Sequence, residues 1–186
     1  MACPRSGWDR DFRGAEHYPV KEWGRHVYVK RVNTKYPSTV TREITRQTYG
    51  EVTFETSYKL ISGDGLYMAF YDKAQEAFRI DIIGNVAYAK NKKLFTTSSA
   101  PHHIKFILNI DTATVKIIHD GKLCSVVPFT GSACAFDRVS FGYENEYLGH
   151  ADFQCCKMYK NYLVNDYIIA AYDGELPEDY IVEKEG

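Results

Sequence analysis

The 186 residues carry 23 basic and 24 acidic side chains, a formal charge of −1. No basic field is available to hold a phosphate backbone, so nucleic acid is excluded as an expected partner. A hydrophobic share of 45% supplies the core of a single domain, and no apolar run approaches the ~20 residues of a membrane helix.

Residues 1–26 read as an irregular segment in which Trp8, Phe12, Tyr18 and Trp23 are spaced among charges. It is expected to pack on the domain and plug an edge or an end. It lacks the apolar core of a secretory leader. The chain therefore reads as cytoplasmic, or as extracellular if a leader has been removed ahead of Met1.

A β-sandwich domain is expected over residues 27–172. Short runs of period-two alternation predict strands at Val27–Val32, Ser38–Ile44, Glu51–Ile61, Gly65–Tyr71, Ala77–Ile83 and Asn85–Ala89. Further strands are predicted at His103–Asp111, Thr114–His119, Lys122–Phe129, Asp137–Tyr143 and Ala151–Tyr159. The turns between them, such as Ser62–Gly65, Gly84–Asn85 and Asp120–Gly121, supply Gly and Asx residues that accept tight geometry. Asn161–Tyr172 reads either as a helical turn or as another strand. The acidic stretch 173–186 reads as a tail or linker.

Alternation also divides the faces. Val52, Phe54, Tyr58, Met68, Phe70, Phe78, Ile80, Ile82, Ile104, Phe106, Leu108 and Ile110 form the expected core, and their neighbours point away from it. Many short strands joined by hairpins, without helical periodicity before the last quarter, predict an all-β, two-sheet antiparallel sandwich.

The five cysteines, Cys3, Cys124, Cys134, Cys155 and Cys156, are odd in number and match no zinc spacing. Cys155 and Cys156 point to opposite faces of a strand and do not pair with each other. Cys124 and Cys134 lie near strand ends and are the one pairing the sequence leaves open; free thiols are the expectation.

Three segments resemble a known family. Gly50-Glu51-Val52-Thr53-Phe54-Glu55, the hairpin HHIKFILNIDTATVKIIHDGK over 102–122, and Phe136–Tyr143 followed by Phe153–Tyr159 resemble strands of the concanavalin A-like lectin/glucanase superfamily, in its laminin-G-like form. The resemblance spans roughly residues 50–160 and is one of pattern. It implies a jelly-roll sandwich and a role in binding or degrading polysaccharides, for instance as an accessory module beside a catalytic domain. The acidic pair common in the closing strand of that family is here Gln154 and Cys155, which departs from the usual calcium-holding pattern.

Catalytic chemistry finds little support. The paired carboxylates of a glycosidase are missing, because Arg79 and Gly84 stand where glutamates would flank Asp81. A polysaccharide lyase would need a His or Tyr base; His102, His103, His119 and His150, with Arg79 or Arg138, offer the residue types without a lyase motif. A histidine alone at a strand end is expected to be solvated or capping. No cofactor is assigned. Calcium is the one metal considered, with Asp64, Asp72, Asp111, Asp120 and the loop Glu144-Asn145-Glu146 as oxygen donors, although such residues commonly bond their own turns.

The aromatic share of 15%, with 15 Tyr against 2 Trp, points elsewhere. Sugars present flat C–H faces, so their sites join an aromatic platform to groups that bond hydroxyls. Tyr67, Tyr71, Arg79 and Asp81 fall on the non-core face of adjacent strands, with Tyr143 and Tyr147 expected to flank them. The expected function is a non-catalytic, lectin-like carbohydrate-binding module for a poly- or oligosaccharide. Arg79 points to an acidic one. A purely structural sandwich and an unfamiliar lyase are the alternatives.

Overall fold

The computed structural model describes residues 8–11, 26–161 and 166–171. Among them there is no helix, and fourteen strands build two sheets. In chain order these are β1 (Trp8–Asp11), β2 (His26–Arg31), β3 (Ser38–Gln47), β4 (Glu51–Gly63), β5 (Leu66–Asp72), β6 (Gln75–Ile83) and β7 (Val86–Ala89). They continue with β8 (Lys92–Thr96), β9 (His102–Asn109), β10 (Thr114–His119), β11 (Lys122–Pro128), β12 (Phe136–Tyr143), β13 (Gly149–Asn161) and β14 (Asp166–Ala171).

The first sheet runs β1-β3-β12-β5-β6-β7-β8. The second runs β11-β10-β9-β4-β13-β14, with β2 also paired to β13. All pairings are antiparallel, so the molecule is the two-sheet antiparallel sandwich expected from the alternation.

The predicted inner residues are buried and share one core. Its centre is aromatic. Phe54 and Phe106 of the second sheet meet Phe70 of the first at ring-centroid distances of 5.7 and 5.0 Å. Phe141 stacks on Phe153 across the sheets at 4.5 Å. Each such pair contributes about 0.5–1.5 kcal/mol beyond the area it buries.

Several elements depart from simple alternation. Within the N-terminal segment read as irregular, Trp8–Asp11 forms β1 on the edge of β3. Strand β8 was not predicted, because its buried residues Leu94 and Phe95 are adjacent rather than alternate. In β13 a register shift between Gln154 and Lys157 resets the faces. Phe153 and Cys156, three positions apart, are consequently both buried. Of the two readings kept for Asn161–Tyr172, the strand holds: β14 pairs with β13.

Candidate functional site

Strands β3, β12, β5 and β6 lie side by side, and their registers align three rows of side chains on the face away from the core. Across one row run Thr39, Gly142, Tyr67 and Asp81, with Tyr88 of β7 beyond. The next holds Thr41, Ser140, Ala69 and Arg79. The third holds Glu43, Arg138, Tyr71 and Glu76. Tyr67, Tyr71, Arg79 and Asp81 are thus on one face, as their spacing predicted.

The two tyrosines differ in access. Tyr67 is 3% exposed. Its ring lies 4.4 Å under the Arg79 guanidinium, and its hydroxyl meets Ser140 Oγ at 3.1 Å. Burial raises its phenol pKa. Tyr71 is half-buried, with the Arg138 guanidinium 4.3 Å from its ring centroid. Tyr71 is therefore the more accessible ring, while Arg79 covers the other.

Arg79 is tightly held. It donates to Asp81 at 2.8 and 3.0 Å and also to Glu144, with Glu76 at 3.9 Å. Burial opposes its charge, but the bonds to Asp81 and Glu144 prevail and raise its pKa. Its fork is already filled by protein carboxylates, which removes the reason to expect it to select an acidic glycan. Burial pushes the Glu76 carboxyl up.

The loop that delivers Glu144 is fixed from behind. Arg31 is 4% exposed. It donates to the carbonyls of Asn145 and Tyr147 at 2.7 and 2.8 Å and to those of Thr34 and Tyr36 at 2.9 and 2.8 Å. Tyr143 does not join the array. With Val139 and Phe141 it points into the core, 1% exposed, and burial raises its phenol pKa. Tyr147 lies against Gly65, whose φ of +81° leaves room for the ring; a Cβ there would fall 2.0 Å from Tyr147 Cγ.

Four of the carboxylates weighed as calcium ligands serve other groups. Asp64 accepts from the Gly84 amide and Asp111 from the Gly50 amide. Asp72 pairs with Arg46, and Glu144 with Arg79. Cys124 and Cys134 are free thiols, and the Cys156 Sγ lies 3.0 Å from Thr56 Oγ1.

A second polar cluster sits between the sheets beside β8. Tyr58 of β4, His102 of β9 and His119 of β10 all face inward, where the sequence suggested solvated strand-end histidines. Tyr58 Oη meets Thr97 Oγ1 at 2.6 Å and His119 Nε2 at 2.8 Å. His102 Nδ1 meets Asp120 Oδ2 at 2.6 Å, and its Nε2 meets Ser98 Oγ at 2.8 Å. Tyr58 is fully buried, and burial raises its phenol pKa. Its hydroxyl is enclosed by protein, unlike a base that must meet a polymer.

No protein-family model and no curated protein matches the sequence. Solved structures do resemble the fold. A sialidase superposes with a TM-score of 0.69 at 14% identity, over 82% of this chain and 17% of that one; the chain thus spans about a sixth of that enzyme. The carbohydrate-binding module CBM66 from Bacillus subtilis gives 0.57 at 14% identity, over 84% and 96% of the two chains. The alginate lyase AlyC3 gives 0.56 at 10% identity, over 78% of each. At these identities the likeness shows the fold alone, a two-sheet antiparallel β-sandwich.

Proposed function

We propose that the chain is a lectin-like carbohydrate-binding module whose outer first-sheet face receives a poly- or oligosaccharide. The observation that carries this reading is the registered array of Tyr71, Arg138, Arg79, Asp81 and Glu76 on one partly exposed face. It combines a ring with carboxylates and guanidinium groups that bond sugar hydroxyls. Within and beside the rows Glu43, Glu76, Asp81 and Glu144 stand with Arg79 and Arg138, with Lys90 acting on Glu76 and Lys93 opposite Tyr88, so the face is close to charge-balanced. A neutral saccharide fits that balance better than a polyuronate, because its hydroxyls donate to carboxylates without charge repulsion. The carbohydrate-binding module and the two enzymes with the same fold support a saccharide in general.

A neighbouring catalytic domain would convert modest module affinity into avidity. The test is a glycan array with neutral and acidic members, followed by calorimetry. Binding of a neutral oligosaccharide that Tyr71→Ala and Asp81→Ala each weaken about tenfold or more is expected. Absence of binding to every glycan would instead support the purely structural sandwich.

A further inference from the structure

We propose that His102, His119 and Asp120 form a binding site for a divalent transition-metal ion of the zinc class. Their ligand atoms lie within 4.8 Å of one another. Asp120 Oδ2 is 2.6 Å from His102 Nδ1 and 3.6 Å from His119 Nδ1. Around a tetrahedral zinc with bonds of ~2.0–2.1 Å, neighbouring ligand atoms are about 3.3 Å apart. The geometry asks Asp120 to move outward from His102 and the two imidazoles, whose ring centroids are 5.0 Å apart, to bring their ligand atoms from within 4.8 Å toward that spacing.

The rest of the cluster arranges these atoms for coordination. The far nitrogen of His119 is held by Tyr58 Oη and that of His102 by Ser98 Oγ. Tyr58 Oη also bonds Thr97 Oγ1, and Ser98 Oγ also accepts from the Ala100 amide. Both hydroxyl oxygens can accept from an Nε2–H, so that once the proton between His102 Nδ1 and Asp120 Oδ2 is lost both Nδ1 atoms offer lone pairs to an ion. Fixing the tautomer through the distal nitrogen is how proteins prepare histidine ligands.

Asp120 divides its oxygens in the same sense. Oδ1 accepts from the His103 amide at 2.9 Å, and Oδ2 faces the two imidazoles. The Phe95 ring stacks on His119 at 4.0 Å and 13°, which sets the plane of that imidazole. On binding, the ion takes both Nδ1 lone pairs and Oδ2 and releases to solvent the proton shared by His102 and Asp120. The Asp120 side chain is 47% exposed, so one coordination position opens to water or an added ligand.

Untagged protein titrated with Co2+ and with Zn2+ tests the assignment. One equivalent of Co2+ should bind and give the visible d–d absorption of a low-coordinate site. Zn2+ should displace it and raise the melting temperature. His119→Ala and Asp120→Asn should each weaken binding at least a hundredfold, and Asp120→Asn keeps the Oδ1 acceptor that closes the turn. Tyr58→Phe should weaken it about tenfold. The proposal is overturned if no d–d band appears at about 100-fold excess of Co2+. It is equally overturned if folded Asp120→Asn protein binds as tightly as wild type, or if removing exposed His103 abolishes binding instead.

Discussion

The guanidinium carbon of Arg138 stands 4.3 Å from the centroid of the Tyr71 ring, and the two are cross-strand partners on β12 and β5. Such a pair contributes about 0.5–1 kcal/mol at an exposed position. It also turns a mobile cation and a ring into a fixed ledge beside Glu76. If that ledge receives a sugar, Tyr71→Ala should weaken glycan affinity about tenfold or more, ~1.4 kcal/mol. Calorimetry against the best array ligand checks this. A folded variant with undiminished affinity would remove Tyr71 from the site.

Phe106 anchors the core. It is fully buried and meets Phe54, Phe70 and Phe78 at 6.4, 5.0 and 5.9 Å. Phe106→Ala should cost about 3–5 kcal/mol through lost burial and the cavity left behind. A urea melt showing less than ~1 kcal/mol would contradict this packing.

Asp72 gives stability a pH dependence. Arg46 binds its two oxygens at 2.9 and 3.2 Å, and that hydrogen bonding holds its carboxyl below the ordinary range. A carboxyl depressed in the folded state stabilises above its unfolded pKa of about 3.9, and the contribution disappears as pH falls through the folded value. Asp72→Asn should therefore melt lower than wild type at pH 7. The difference should shrink as pH drops below about 4. A gap that stays constant between pH 7 and pH 3 would refute the assignment.

Thiol reactivity should follow exposure. Cys134 is exposed and Cys156 is buried, 3.0 Å from Thr56 Oγ1. In peptide-mapped alkylation, Cys134 should label in the native state and Cys156 only on unfolding. Reduction should leave the melting temperature within a few degrees, because losing a native disulfide typically costs about 2–5 kcal/mol. Equal labelling of Cys134 and Cys156 in native protein would contradict the burial.

Alternation made much of this fold legible. Strands β4, β5, β6 and β9 each place large apolar residues at every second position, so Phe54, Phe70, Ile80 and Phe106 could be assigned inward from the sequence. The reasoning fails where the period breaks. Leu94 and Phe95 are adjacent in β8, and the bulge in β13 lets Phe153 and Cys156 share a face. For the candidate glycan face, the hairpin of β5 and β6 gave Tyr67, Tyr71, Arg79 and Asp81. Ser140 came from β12, whose register against β5 leaves no local signal. Tyr143 is expected to flank that face, yet it continues the inward series of Val139 and Phe141. The Tyr58–His119 contact joins residues 61 positions apart, which no spacing rule reaches.

The place of β12 has a consequence for synthesis. It lies between β3 and β5, and its first residue, Phe136, pairs with Gln47. While the ribosome is still adding residues before 136, β3 and β5 lack the strand that separates them, and each presents an open hydrogen-bonding edge. Edges of that kind recruit other chains, and non-local pairings form slowly. Nascent chains stalled at Ala135 should thus be cut by protease along β3, whereas chains stalled far enough on to free β12 from the exit tunnel should resist. The first sheet is completed from its middle, late, and during that interval a chaperone has most to protect.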